Sequence, residues 1–126
     1  MVKIMSTEEK RQFTRVSFVT QVKLSQGEQL WLGHVVDISF KGVLVNSRTP
    51  LTFDPDQAVN AEIFFENGIS MKVKVKEAHN NGQFYGFNFL EMDVDGMTHL
   101  RNIIMHNLGD ESACERELIS LFSYHQ

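Results

Sequence analysis

Residues 69 to 76 alternate without a break: Ile69, Met71, Val73 and Val75 interleave with Ser70, Lys72, Lys74 and Lys76. A period of two puts every apolar side chain on one face and every lysine on the other, which is the pattern of an antiparallel strand with one buried and one wet side. The same period recurs upstream in Phe18 to Leu24, whose even positions form an apolar face, and in Leu30 to Ile38, which predicts Leu30, Leu32, Val36 and Ile38 on one side. Val43 to Val45, Val59 to Phe65 and Phe84 to Leu90 complete a set of six strands, with Tyr85, Phe87 and Phe89 sharing a face of the last. Turn residues separate them: Gln26-Gly27-Glu28 and Glu66-Asn67-Gly68 are turn signals, and Asn80-Asn81-Gly82 makes a tight hairpin because Asn and Gly tolerate positive φ. Both prolines, Pro50 and Pro55, fall in the one long connection, where a ladder does not need their missing donors. Six short strands at this spacing predict a barrel or sandwich.

After Met92 the period changes. Val94, Met97, Leu100, Ile104 and Leu108 recur at three and four, behind a capping Asp93 or Asp95 and ahead of a stop at Gly109. Asp110 can cap a second helix with Cys114, Leu118, Leu121 and Phe122 on one side. The expectation is a single domain over 1–126, mainly β, with 1–12 as a flexible basic arm and 93–126 as closing helices.

Composition excludes several function classes. With 126 residues, 42% hydrophobic and 22% charged, the chain can bury about 65% of its unfolded surface in one core without staples. No apolar run reaches membrane-spanning length, and the charged start is not a secretory signal. The single Cys114 supports no disulfide and no zinc site, in keeping with a reducing, cytoplasmic address. The formal charge of −4 argues against a DNA or RNA polymer as partner. That acidity is concentrated in residues 91–126, with 7 acidic and 2 basic side chains, against 9 and 10 in residues 1–90. No phosphate-binding glycine loop, metal-binding histidine pair or nucleophile motif is present, so neither an enzyme nor a bound cofactor or metal is expected. His99 and His106 read as exposed helix histidines, and Cys114 as buried packing.

Two clusters remain. In Lys10-Arg11-Gln12-Phe13-Thr14-Arg15, two arginines four apart stand at the entry to the first strand. Guanidinium groups suit bidentate contact with phosphate oxygens and with the O6/N7 edge of guanine. In Asp37-Ile38-Ser39-Phe40-Lys41-Gly42, strand periodicity points Asp37 and Ser39 the same way, presenting a carboxylate beside a hydroxyl. Gly42 there permits either a positive φ or a close backbone approach to a ligand.

Arg-x-x-x-Arg before the first strand, then Asp-x-Ser-x-x-Gly after the second, in a β-rich chain ending in helices, resembles the PilZ domain family. The resemblance runs from Lys10 through the closing helices and includes Gly86-Phe87. It implies a six-stranded antiparallel β-barrel, without enzymatic activity, that binds the bacterial second messenger cyclic di-GMP, with motility or biofilm regulation among the outputs. Carried over, Arg11 and Arg15 clamp phosphate and guanine, Asp37, Ser39 and Gly42 wall the guanine, and Lys10 favours a stacked pair of nucleotides over one. The sequence departs from some members near the end of the fifth strand, where Glu77-Ala78-His79 stands in place of an aromatic and His79 is the nearest substitute. Arm ordering on binding would present a new surface to a downstream protein partner. The alternative is a related interaction module that does not bind nucleotide.

Overall fold

The computed structural model describes residues 2–3 and 13–123. Its strands are β1 (Val2–Lys3), β2 (Val16–Gln26), β3 (Gln29–Ile38), β4 (Gly42–Asn46), β5 (Val59–Phe64), β6 (Ser70–Asn81) and β7 (Phe84–Met92), followed by helices α1 (Val94–Leu108) and α2 (Glu111–Ser123). Every pairing is antiparallel, in the order β7-β4-β3-β2-β5-β6, and β6 pairs back onto β7. That last pairing closes a six-stranded barrel and removes its open edges. β1, absent from the sequence reading, sits within the segment expected to be a flexible arm. It pairs Val2 with Met92 and Lys3 with Glu91, beyond the point where β4 leaves β7.

The inner face follows the alternation closely in β2, β6 and β7. Val22 and Leu24, Met71, Val73 and Val75, and Tyr85, Phe87 and Phe89 are all buried, while Lys72, Lys74 and Lys76 face water. β3 differs. Leu30 and Leu32 are 58% and 71% exposed, and the inward positions are Trp31, Gly33 and Val35. A register shift between Val35 and Asp37 then reverses the parity, so that Ile38 points inward again. Gly33 is small because a side chain there would press on Val45 and on the Asn46 carbonyl. Two single positions also depart from expectation. Ile69 precedes β6, in the wake of a 3-10 turn over Glu66–Gly68, and is 47% exposed. Val94, at the very start of α1, faces solvent.

The 47–58 connection closes one barrel end. Buried Gln26 holds it with three bonds: Nε2 donates to the Asp54 and Gln57 carbonyls at 3.0 and 3.1 Å, and Oε1 accepts from the Asp54 N–H at 2.7 Å. The Tyr85 hydroxyl accepts from the Leu51 N–H at 3.0 Å. Phe53 inserts between Trp31 and Phe87, with edge-on ring contacts at 4.8 and 5.5 Å.

The helices start and stop where their caps dictate. The Asp93 carboxylate accepts from the Gly96 N–H at 2.7 Å, and Gly109, at φ 67°, turns its N–H back to the Met105 carbonyl. Asp110 caps α2 through the Ala113 N–H. Leu100 and Ile104 are fully buried, and α2 packs on α1 through buried Cys114 and Leu121. Of the two helix histidines read as exposed, His106 is, but His99 is half-buried with its ring 5.4 Å from Phe65. No helix among the described residues is long and apolar enough to cross a membrane.

Gln26→Ala strands three backbone groups of the closing loop, and about 2–3 kcal/mol of stability is expected to be lost, read as a lower urea midpoint with an unchanged slope. Burial pushes the Cys114 thiol above its ordinary value. The unfolded chain, with a thiol near pH 8.5, releases that proton first, so this contribution is complete below about pH 8.5 and declines as the pH rises toward the folded value. Urea midpoints taken between about pH 7 and 10 should fall more steeply for the native chain than for Cys114→Ala.

Candidate functional site

The β3–β4 turn is built by the side chain that the sequence reading assigns to a ligand. The Ser39 hydroxyl accepts from the Lys41 and Gly42 N–H groups at 3.1 and 3.3 Å, and the Ser39 N–H donates to the Gly42 carbonyl at 2.9 Å. Ser39 is only 4% exposed. Both acceptor sites of its oxygen are therefore engaged inside the turn, and its proton is what it has left to offer. Gly42 is required by a close approach, and the approach is to this protein's own backbone: a Cβ there would overlap the Phe87 carbonyl on β7. The next ladder bond, from the Phe89 N–H to the Lys41 carbonyl at 2.9 Å, pins the turn to β7.

Opposite the turn, β6 and β7 slip register between Glu77 and His79, leaving Ala78 as the extra residue. The slip lays the His79 imidazole flat on Gly86, whose missing side chain makes room for the ring. Between turn and slip lies a cleft of about 710 Å³, within the range of small-molecule sites. Its walls are Ser39, Lys41 and Gly42 on one side and Ala78, His79 and Gly86 on the other, with Phe87 and Asn88 along the floor strand. Phe13, Thr14 and Arg15, the approach to β2, complete the rim.

Of the residues singled out in the sequence, Arg15, Ser39 and Gly42 line this cleft directly. Asp37 is tied to it through Arg15: Nη1 donates to Oδ1 at 2.7 Å, with the two side chains 53% and 23% exposed. An ion pair this open to solvent is worth about 0.2–1 kcal/mol, so either partner can be drawn to a better one at small cost. Lys10 and Arg11 lie outside the described residues. The sequence reading missed Thr14, Lys41 and Asn88 as wall residues. Lys41 and Thr14 lie inside the two quoted clusters and could have been found, whereas Asn88 comes to the cleft only through strand register, opposite Gly42.

Among the described residues the arrangement offers a guanidinium, an ammonium, a serine proton and an imidazole face around an open hollow, with a carboxylate paired to the guanidinium. Such a set suits a planar, polar, anionic molecule. Among the described residues no three His, Cys, Asp or Glu side chains gather as a metal site.

Comparison with solved structures places the barrel among known relatives. The crystal structure of the PilZ domain of CeSA, from a cellulose-synthesizing bacterium, superposes with a TM-score of 0.58 at 14% identity, covering 76% of this chain and 96% of that one. The Bacillus subtilis inhibitor of motility, MotI/DgrA, superposes with a TM-score of 0.63 at 19% identity over 81% of this chain; the match spans 53%, about half, of that longer protein. At these identities the likeness is one of fold. The sequence itself matches the family model described as PilZ domain over residues 9–106, which takes in the arginine segment, the whole barrel and most of α1. This chain belongs to the PilZ domain family.

Proposed function

We propose that the protein is a non-enzymatic receptor for cyclic di-GMP, with the cleft beside the β3–β4 turn as its site. The observation that carries the reading is the Arg15–Asp37 pair at the mouth of a cleft whose wall contains Ser39 and Gly42. Three motif positions set apart in the sequence line one hollow of suitable size, and Arg15 ties the fourth, Asp37, to it, which supports the reading.

The chemistry of each side chain supports a role. Arg15 can exchange an exposed carboxylate for phosphate oxygens or a guanine edge, where a charge-assisted bond contributes roughly 1.5–3 kcal/mol, more than the surface pair it gives up. Asp37, once shared or released, accepts from the N–H donors of guanine's Watson–Crick edge, and the Ser39 proton can be donated to a ligand acceptor. Lys41 adds positive field near two phosphates, and His79, flat on Gly86, offers a face for a base to stack on. Arg11, four residues before Arg15, supplies the second guanidinium. Fixing five residues around a ligand costs on the order of 5 to 10 kcal/mol, which several charge-assisted bonds offset. The bound nucleotide, with the arginines that hold it, then forms part of the surface that a downstream protein partner reads.

Calorimetric titration with cyclic di-GMP tests the reading. Arg11→Ala and Arg15→Ala should each weaken binding by about 10- to 100-fold, the worth of one lost charge-assisted bond. Lys23→Ala, whose ammonium lies 3.9 Å from Glu62 away from the cleft, should bind as the native chain does. No heat with the native chain overturns the receptor assignment in favour of an interaction module that does not bind nucleotide. The same titration reads the role of Lys10: two nucleotides per chain are expected, and a stoichiometry of one removes the stacked pair.

A further inference from the structure

α2 begins beyond residue 106, where the family match ends, yet it is hydrogen-bonded to a residue of the cleft rim. At about 100° per residue, side chains two apart on a helix leave toward opposite flanks. Glu115 turns to α1 and meets Arg101, which also reaches Glu111. Glu117 turns the other way, to Thr14, 103 residues earlier in the chain. One carboxylate oxygen accepts from the Thr14 N–H at 3.0 Å and the other accepts from the Thr14 hydroxyl. Thr14 stands between Phe13 and Arg15, and all three line the cleft. The last helix is thus bonded to the residue next to the arginine that carries the Asp37 pair.

We propose that Glu117 is a positioning residue for the nucleotide, and that it couples α2 to the cleft. This rests on the reading of the cleft as a cyclic di-GMP site. A carboxylate that takes both the N–H and the O–H of one residue fixes that residue's backbone and side chain together, through charge-assisted bonds. Thr14 held in advance sets the direction from which Arg15 enters the cleft, and that residue need not be ordered again when nucleotide arrives. Coupling of this kind is reciprocal: if docked α2 favours nucleotide, nucleotide must hold α2 more firmly. α2 then carries the state of the cleft along its own length, where Ile119, two residues beyond Glu117, is exposed.

The test compares the full chain with Glu117→Ala, Glu117→Gln and Thr14→Val, using cyclic di-GMP calorimetry and amide hydrogen exchange. Releasing one residue's backbone should weaken binding about 5- to 30-fold in Glu117→Ala. Glu117→Gln keeps an acceptor oxygen and should recover most of that loss, and Thr14→Val, which keeps the N–H, should lose less. Nucleotide should slow amide exchange across residues 111–121 in the native chain and leave it unchanged in Glu117→Ala. A purely structural role would lower thermal stability without that nucleotide-dependent protection. Binding by Glu117→Ala within twofold of native, with α2 exchange indifferent to nucleotide, overturns the role of Glu117 alone. A native chain that takes no nucleotide overturns the ligand assignment instead, and with it this role. The two failures are told apart by the Thr14 amide, whose exchange without nucleotide should quicken in Glu117→Ala in either case.

Discussion

The site depends on one backbone approach. Gly42 lies so close to the Phe87 carbonyl that no side chain fits between β4 and β7. That contact, with the Phe89 N–H bonded to the Lys41 carbonyl, holds the β3–β4 turn against the floor of the cleft. Ser39 then closes the turn from within, and the position of its hydroxyl follows from the turn's own hydrogen bonds. A short motif of Asp, Ser and Gly therefore does two jobs. It shapes the wall, through Ser39 and Gly42, and it places a carboxylate at the rim, through Asp37. The glycine lets two strands touch at the wall that it lines.

The opposite wall rests on a similar economy of space. His79 occupies the room that a side chain at Gly86 would take, and the register slip of β6 against β7 turns it there. Two glycines on neighbouring strands thus line the hollow, Gly42 by admitting a carbonyl and Gly86 by admitting a ring. Barrel closure matters because β7 forms the floor: it is held by β4 on one side and β6 on the other, so both walls are referenced to the same strand.

How much of this was legible in the sequence follows from which residues face inward. β2, β6 and β7 largely alternate apolar and polar residues, so their inward faces could be read although their ends run two or three residues further, and the caps Asp93 and Gly109 marked α1 well. β3 misled because its inward positions are Trp31, Gly33 and Val35, one of them with no side chain, while Leu30 and Leu32 face water. The register shift before Asp37 then changes the parity, which no alternation rule anticipates. At the site, the spacing of Arg15, Asp37, Ser39 and Gly42 was visible, whereas the turn bonds that engage the Ser39 hydroxyl and the ion pair that engages the Asp37 carboxylate come from tertiary packing and could not be read. The tie between Thr14 and Glu117 has no sequence signal, because nothing local links a threonine in a loop to a glutamate on the last helix.

The aromatic contacts at the closed end of the barrel have an optical consequence. Trp31 is the chain's one tryptophan, and it meets Phe87, a cleft residue, through the single intervening ring of Phe53. Its emission therefore comes from a half-buried ring joined through one aromatic neighbour to the floor of the cleft, giving the protein an intrinsic dye whose colour and brightness depend on how that three-ring column is packed.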